Sequence, residues 1–151
     1  MENLSKKGIT LSVAESCTGG MLGSVITSVP GSSKYFLGGA VTYSNDAKEA
    51  LLNVSKSTMI ANGSVSEETA LEMADGVRKL FGSDLAASIT GVAGPDGGTA
   101  AKPVGLVWIG ISFKNGTFAV KFNFDGGRDE VRASAVSTAM KMLFETAKTF
   151  D

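Results

Sequence analysis

Apolar and small polar residues alternate in a short run near the N-terminus, and this run predicts the first strand. Residues 9–14 read I-T-L-S-V-A, which has the two-residue period of a strand. Gly19 and Gly20 follow, and the apolar run M-L-G-S-V-I-T-S-V predicts a helix that ends at Pro30. Phe36–Tyr43 predicts a second strand. We therefore expect a strand, a tight turn, a helix and another strand in this part of the chain.

Two helices are predicted between the second strand and Gly82. Ser44 or Asn45 can cap the first helix, which reads D-A-K-E-A-L-L. The spacing S-x-x-E from Ser64 to Glu67 fits a capping box at the start of the second helix. The apolar residues of this helix recur with a period of about 3.6 residues, and they are Ala70, Met73, Ala74, Val77, Leu80 and Phe81. Gly82 predicts its C-terminal end.

Three more strands and a final helix complete the pattern. Leu85–Ile89 is apolar on both faces, which is typical of a central strand. Val104–Phe113 and Thr117–Phe124 predict a hairpin, in which Asn115-Gly116 favours the positive φ angles of a tight turn. Residues 128–150 predict a long amphipathic helix. The order β-α-β-α-α-β-β-β-α predicts an α/β fold, a three-layer α/β/α sandwich with a mixed, partly parallel sheet.

Composition limits the size and the partners of the protein. The 151 residues, 43% of them hydrophobic, fit one domain that spans residues 1–151. No apolar run approaches the roughly 20 residues that cross a bilayer. Since 14 basic residues balance 15 acidic ones without a dense basic run, we expect no binding to nucleic acid or to an anionic membrane. One cysteine fits a reducing compartment, so we expect a cytoplasmic protein.

The chain contains no histidine, and this excludes several kinds of catalytic site. A Ser-His-Asp triad, a Cys-His pair and a histidine-ligated metal are all impossible. Cys17 is the only cysteine, so a thiolate-rich metal centre is excluded as well. Proton transfer must therefore use a carboxylate, a lysine, a tyrosine, the cysteine, water or the substrate itself.

Three glycine-rich loops follow predicted strands, at residues 16–20, 91–98 and 125–127. Loops at the strand ends of one sheet can converge on one crevice. None of them matches a P-loop or a dinucleotide-binding fingerprint. Free backbone N–H groups at Thr18-Gly19-Gly20 could hold an anion, and a plain tight turn explains this segment equally well. At Gly94–Gly98 a plain turn is favoured, because Pro-Asp-Gly is a common turn sequence.

Ser16 is the strongest candidate for a nucleophile. It lies at a sharp turn from strand to helix, which presents a small residue outward. Its hydroxyl needs a base, and a neutral lysine is the known alternative to histidine. Lys48 could serve, since it lies in the first turn of a helix that begins at a strand end, although a lysine there is more often a solvated surface charge. Ser44 fits a helix cap, and Tyr43 could pack or donate a hydrogen bond.

Three further residues near these candidates carry side chains that could act in a site. Cys17 fits a buried structural thiol, because no histidine can activate it. Glu15 could orient a lysine or accept hydrogen bonds from the loop. Arg128 lies at the start of the last helix, where the macrodipole disfavours a cation. It could face a bound anion or pair with Asp129 or Glu130.

Seven ordered segments resemble the CinA C-terminal domain family, and the resemblance covers nearly the whole chain, from about Gly8 to Phe150. They are A-E-S-C-T-G-G at 14–20, P-G-S-S at 30–33, V-T-Y-S-N-D-A-K at 41–48, G-x-V-S at 63–66, I-T-G-V-A-G-P-D-G-G at 89–98, K-P-V-G at 102–105 and G-G-R-D-E-V-R at 126–132. The resemblance implies a PncC-type amidohydrolase, which converts nicotinamide mononucleotide into nicotinate mononucleotide and ammonia without a metal or another cofactor. Larger members carry a further N-terminal domain that resembles molybdopterin-biosynthesis proteins, and we expect no activity of that domain from these residues.

The resemblance also implies which residues form the site. Ser16 and Lys48 match the serine and the lysine of the family's catalytic pair, and Tyr43 would assist them. The residues expected to bind the nucleotide are Thr18, Gly19, Gly20, Ser44, Thr90, Gly91, Ala93, Gly94 and Arg128. A homo-oligomer is expected, because family members tend to self-associate. The alternatives are a non-catalytic mononucleotide-binding or regulatory module of the same fold and a pure assembly domain.

Overall fold

The computed structural model describes residues 2–150, which contain both helices and strands. The elements are α1 (Glu2–Lys7), β1 (Leu11–Glu15), α2 (Met21–Thr27), β2 (Phe36–Val41), α3 (Asn45–Leu52), α4 (Lys56–Asn62), α5 (Glu67–Phe81), β3 (Leu85–Gly91), β4 (Leu106–Phe113), β5 (Gly116–Asn123) and α6 (Arg128–Lys148). A single 3₁₀ turn, Ser32–Lys34, precedes β2.

The five strands form one mixed sheet in the order β2-β1-β3-β4-β5. Strand β1 runs parallel to both of its neighbours, so Leu11 pairs with Phe36 on one side and with Leu85 on the other. The pairs β3-β4 and β4-β5 are antiparallel. The predicted mixed sheet and the central position of β3 are confirmed. The carboxyl ends of β1, β2 and β3 consequently meet at one edge of the sheet.

Helices cover both faces of the sheet, and each face has its own hydrophobic core. Alternate side chains of a strand point to opposite faces, so Val13 packs with α2 and α6 while Ala14 packs on the side of α5. The larger core includes Leu22 of α2 and Val131 of α6. This arrangement is the predicted three-layer α/β/α sandwich.

Helix α3, which carries Lys48, lies unusually close to α5. Gly76 of α5 allows this approach, because a Cβ atom at this position would lie 2.1 Å from the carbonyl oxygen of Leu52. Gly110 of β4 plays a similar part, since a Cβ there would lie 2.5 Å from the carbonyl oxygen of Ala70. Two glycines therefore let α5 pack tightly between the sheet and α3.

Helices α1 and α4 were not predicted from the pattern of apolar residues. Helix α1 reads E-N-L-S-K-K, and Leu4 is its buried apolar residue. Helix α4 buries none of its residues fully. Glu72 of α5 fixes its start instead, since this carboxylate accepts hydrogen bonds from Ser55 N at 2.6 Å and from Thr58 Oγ1 at 2.5 Å. Helix α4 is thus held by hydrogen bonds to Glu72, a residue distant in the sequence, and a local pattern of apolar residues does not predict it.

Two details of the predicted turns were wrong. The cap of α5 is Ser66, whose Oγ accepts from the Thr69 N–H at 3.2 Å, and not Ser64 of the expected capping box. In the hairpin, Asn115 does not adopt a positive φ, while Gly116 does, at 152°. The end of α5 at Gly82 is as predicted, with φ 63°. None of the helices within residues 2–150 combines the length and the apolar character that a bilayer crossing requires.

Candidate active site

A cleft of about 270 Å³ opens at the sheet edge where β1, β2 and β3 end. Eight of the residues predicted for the site line it, namely Ser16, Tyr43, Lys48, Thr90, Gly91, Ala93, Gly94 and Arg128. They come from the turn after β1, the start of α3, the loop after β3 and the start of α6. The fold thus brings together residues that lie more than 100 positions apart in the sequence.

Ser16 and Lys48 are in direct contact at the base of this cleft. The Nζ atom of Lys48 lies 3.1 Å from the Oγ atom of Ser16 and 2.9 Å from the carbonyl oxygen of Thr42, to which it donates. Lys48 is only 1% exposed and Ser16 is 8% exposed. Within residues 2–150 no carboxylate lies within ion-pair distance of the Lys48 ammonium. Lys48 is therefore a buried amine whose polar neighbours are a hydroxyl and a carbonyl.

Burial shifts the pKa values of the two ionisable groups closest to Ser16 in opposite directions. Loss of solvation lowers the pKa of Lys48 from its ordinary value, and the nearby thiol of Cys17 raises it by a smaller amount. The same loss of solvation raises the pKa of the Cys17 thiol to about 11. Burial thus shifts both groups towards their neutral forms, and the raised pKa of Cys17 makes its thiol less reactive.

The turn that carries Ser16 is held by hydrogen bonds at each of its ends. The Ser16 N–H donates to the carbonyl of Ile89 at 3.0 Å, and the Gly19 N–H donates back to the carbonyl of Ser16 at 3.1 Å. Cys17 and Thr18 lie between these bonds, and their N–H groups donate to no backbone carbonyl in the described residues. Ser16 therefore occupies a fixed turn with two backbone donors beside it.

Glu15 occupies the start of helix α2. Its carboxylate accepts from the N–H groups of Gly20, Leu22 and Gly23 at 3.2, 3.0 and 2.8 Å. Of the two interpretations of Glu15, hydrogen bonding to the loop is the one that the structure shows. Of the N–H groups considered from the sequence as an anion site, that of Gly20 is therefore paired with Glu15 and that of Gly19 with the Ser16 carbonyl, while that of Thr18 donates to no backbone carbonyl in the described residues. Thr18, Gly19 and Gly20 do not line the cleft.

Ser44 connects the end of β2 to the lysine helix. Its Oγ accepts from the Ala47 N–H at 3.1 Å, so Ser44 is the N-cap of α3, which is one of the two interpretations that the sequence allows. Ser44 lies outside the cleft lining. By starting the helix at this point, the cap places Lys48 in the first turn, with its side chain directed back to the sheet edge.

Arg128 joins three segments at the mouth of the cleft. It donates to the carbonyl of Gly94 at 2.7 Å and to the hydroxyl of Tyr43 at 3.1 Å. No ion pair of Arg128 with Asp129 or Glu130 is present in residues 2–150. The guanidinium therefore lies at the mouth of the cleft, where it contacts Gly94 and Tyr43. Tyr43 is 61% exposed at this place.

The end of β3 is packed closely against its neighbours. Thr90 Oγ1 donates to the carbonyl of Ser64 at 2.7 Å, which ties β3 to the segment before α5. Gly91 permits no side chain, because a Cβ there would lie 2.8 Å from the carbonyl oxygen of Leu106. This part of the cleft wall is consequently rigid backbone with one buried hydroxyl, that of Thr90.

Some residues near the site were not identified from the sequence. Asp96 and Ser64 line the cleft. Arg132 donates from Nε to the carbonyl of Cys17 at 3.2 Å and from its terminal nitrogen to the carbonyl of Thr18 at 3.1 Å. A sequence signal for Arg132 exists, because residues four apart share a helix face and Arg128 is itself a candidate. Thr42 accepts the hydrogen bond from Lys48 through its backbone carbonyl, and a pattern of side chains gives no indication of such a contact.

Comparison with known proteins identifies relatives of this chain by sequence. A CinA-like protein of Geotalea uraniireducens is 53% identical over 136 residues, which are 90% of this chain and 32% of that protein. The chain spans about a third of the length of the curated relatives it matches.

Solved structures extend the similarity to three dimensions. A competence/damage inducible protein from Agrobacterium tumefaciens is 41% identical, with a TM-score of 0.93 over 95% of this chain and 88% of that one. The competence damage-inducible protein A from Klebsiella pneumoniae is 34% identical, with a TM-score of 0.95 over 99% of this chain and 93% of that one. The sequence profile of the CinA C-terminal domain matches residues 1–147. This chain therefore belongs to the CinA C-terminal domain family.

Proposed function

We propose that the domain is an amidohydrolase that converts nicotinamide mononucleotide into nicotinate mononucleotide and ammonia. One observation carries the proposal: the buried Nζ of Lys48 lies 3.1 Å from the Oγ of Ser16, with no carboxylate of the described residues in an ion pair with it. A lysine in such a place is favoured as a neutral base, which a serine nucleophile requires. The choice of substrate rests on the resemblance to the amidohydrolases of the family.

The first half of the reaction forms an ester on Ser16. Lys48, as a neutral amine, accepts the hydroxyl proton while the Oγ of Ser16 attacks the carboxamide carbon. The carbonyl oxygen becomes an oxyanion in the tetrahedral intermediate. The protonated Lys48 then returns its proton to the leaving nitrogen, the C–N bond breaks, and ammonia departs.

Backbone N–H groups beside Ser16 stabilise the oxyanion. Those of Cys17 and Thr18 donate to no backbone carbonyl in the described part of the chain. Fixed donors of this kind need no reorganisation when charge develops, and each is worth about two to three powers of ten in rate. The fixed turn is thus suited to acyl transfer.

The second half of the reaction uses the same groups. A water molecule attacks the ester carbon, and Lys48 accepts its proton. The ester C–O bond breaks, Ser16 regains a proton from Lys48, and the new carboxyl group loses its remaining proton to solvent as nicotinate mononucleotide leaves. One base therefore serves both halves, so no second titrating residue is needed.

The mouth of the cleft suits a phosphorylated ligand. Arg128 places a cation there, next to the exposed hydroxyl of Tyr43. Planar guanidinium groups bind phosphate oxygens through paired hydrogen bonds. Thr90, Gly91 and Gly94 belong to the same cleft lining as this cation and Ser16. We assign the nucleotide phosphate to the Arg128 end and the carboxamide to the Ser16 end.

Ammonia release from nicotinamide mononucleotide tests the proposal. The wild-type chain should turn over many equivalents, while Ser16→Ala and Lys48→Met should lose nearly all activity and still bind the nucleotide. Lys141→Met is a matched control on an α6 residue far along the helix from the cleft, and it should keep full activity. Saturable binding without any ammonia would support the non-catalytic module instead, and normal turnover by Ser16→Ala would exclude the proposed nucleophile.

A further inference from the structure

Arg132 contacts the turn that carries Ser16 but does not line the cleft. Its side chain is 25% exposed, and an acid of the same helix, Asp129, lies 3.7 Å away with a side chain that is 91% exposed. Its shorter contacts are the carbonyls of Cys17 and Thr18, at 3.2 and 3.1 Å. The guanidinium therefore binds two successive peptide groups directly after Ser16.

These two contacts determine where the N–H groups of the turn point. In a trans peptide the carbonyl and the N–H of one unit point in opposite directions. The carbonyl of Thr18 faces Arg132, and the N–H of the same unit, on Gly19, reaches the carbonyl of Ser16 at 3.1 Å. The side away from Arg132 is therefore the side on which the Ser16 carbonyl lies.

The preceding peptide unit follows the same rule. The carbonyl of Cys17 also faces Arg132, so the N–H of Thr18 points away from Arg132. This N–H donates to no backbone carbonyl within residues 2–150. It is left available beside the serine at which an oxyanion would form.

We propose that Arg132 is a positioning residue, which holds the Cys17–Thr18 peptide so that the Thr18 N–H can stabilise the oxyanion. This role rests on the proposed amidohydrolase function. Arg132 acts from behind the turn, without touching the substrate, so it contributes to the chemical step rather than to binding. The Arg132 guanidinium also lies near Gly19, since a Cβ built there would be at an ordinary contact distance of 3.8 Å from it.

The kinetic test compares kcat and KM for ammonia release from nicotinamide mononucleotide. Arg132→Met should lower kcat by about 100-fold, the effect of losing one oxyanion donor, with KM within about threefold of wild type. Arg132→Lys should recover part of kcat, because an ammonium can still donate to one carbonyl. Lys141→Met, on the same helix, should match wild type. An unchanged kcat, or a raised KM with normal kcat, would overturn the positioning role.

A second readout does not depend on activity. Hydrogen exchange of the Gly19 amide, measured by NMR, reports its bond to Ser16, which the orientation of the Thr18–Gly19 peptide maintains. Arg132→Met should speed this exchange by about tenfold or more, while Lys141→Met should not. If wild type releases no ammonia, the proposed function fails and the exchange result alone decides whether Arg132 orients the turn. If Arg132→Met does not fold, Arg132→Lys and Arg132→Gln supply both measurements, and wild-type exchange and kcat in both would overturn the proposal.

Discussion

Burial determines the chemistry of the two ionisable side chains next to Ser16. Lys48 and Cys17 lose water together, which favours the basic form of the amine and the protonated form of the thiol. The result is a site in which a buried amine contacts the serine hydroxyl, as the proposed role of Lys48 as the base requires, beside a thiol that is favoured in its protonated form. The residue types alone leave this open, because a lysine in a first helical turn is usually solvated.

Removal of the buried amine should change how stability depends on pH. The pKa of Lys48 is lowered in the folded protein, so the unfolded chain binds more protons between the folded value and about 10.5. The stability of wild type therefore rises with pH in this window, relative to a variant that lacks the amine. We expect the difference in free energy of unfolding, wild type minus Lys48→Met, to shift in favour of wild type as the pH rises from about 7 to about 10.

Urea unfolding of both proteins across this pH range measures the effect. Lys141→Met is the matched control, since it removes an exposed α6 lysine and should give a difference that is independent of pH. A constant difference for Lys48→Met would show that the folded and unfolded pKa values of Lys48 are equal, and burial would then not favour its neutral form.

The Cys17 thiol should react slowly with iodoacetamide. Its pKa of about 11 lies about two units above the ordinary value of 9.0, which reduces the thiolate fraction at about pH 8 by about 100-fold. Burial to 7% exposure slows the reaction further. The alkylation rate of folded protein, compared with that of protein unfolded in urea, checks this expectation. Equal rates would contradict the buried, protonated thiol.

At the scale of the element, Glu15 links the end of β1 to the start of α2. Its three hydrogen bonds satisfy N–H groups that a helix start otherwise leaves unpaired. The sequence indicated a strand, a turn and a helix here, and the structure confirms all three. It could not indicate that the anion at this helix start belongs to the protein, because that depends on the direction of one side chain.

Glu15→Gln should destabilise the fold. The amide keeps the shape but turns one acceptor into a donor that faces N–H groups, and such a mismatch in a buried place costs about 1–3 kcal/mol. Chemical denaturation measures the loss. Glu68→Gln, which removes an exposed acid from the first turn of α5, is the control and should cost less. Equal effects of the two changes would contradict the capping role of Glu15.

Gly76→Ala tests the close contact of α5 with α3. Alanine is favoured over glycine inside a helix by about 1 kcal/mol, but its Cβ would lie 2.1 Å from the Leu52 carbonyl oxygen. We expect a net loss of stability of about 1–3 kcal/mol from overpacking. Activity should fall as well, because relief of this clash would displace α3, and α3 carries Lys48.

Gly23→Ala is the matched control for this prediction. Gly23 also lies in a helix, α2, where the nearest atom to a new Cβ, in Glu15, is 3.6 Å away, an ordinary contact distance. Thermal unfolding of both variants should therefore show a clear loss of stability for Gly76→Ala and no loss for Gly23→Ala. If both were neutral, the close packing of α3 on α5 would not be what positions the lysine.

Helix periodicity explains which elements could be predicted. Helix α5 has a strong apolar stripe, with Met73 and Val77 fully buried, and its type and end were predicted correctly. Helix α4 has no buried stripe, since Glu72 holds it through hydrogen bonds. The start of α5 was placed on Ser64 because the spacing to Glu67 fits a capping box, yet Ser66 caps the helix and Ser64 lines the cleft.

At the scale of the whole molecule, the topology of the sheet creates the site. Parallel strands β1, β2 and β3 end at one edge, and this rule alone predicts that the loops after them converge. It could not predict that Lys48 turns inwards, that Arg128 spans from Gly94 to Tyr43, or that Gly19 and Gly20 stay outside the cleft. These facts depend on side-chain directions that only the assembled fold defines.

The pH dependence of ammonia release from nicotinamide mononucleotide tests most directly whether Lys48 is the base for Ser16. If the neutral amine accepts the serine proton, kcat/KM should rise with pH through a single ionisation below the ordinary lysine value of 10.5 and then level off. Lys48→Met should lose both the activity and the ionisation. The same profile and the same rate in Lys48→Met would contradict the assignment of Lys48 as the base.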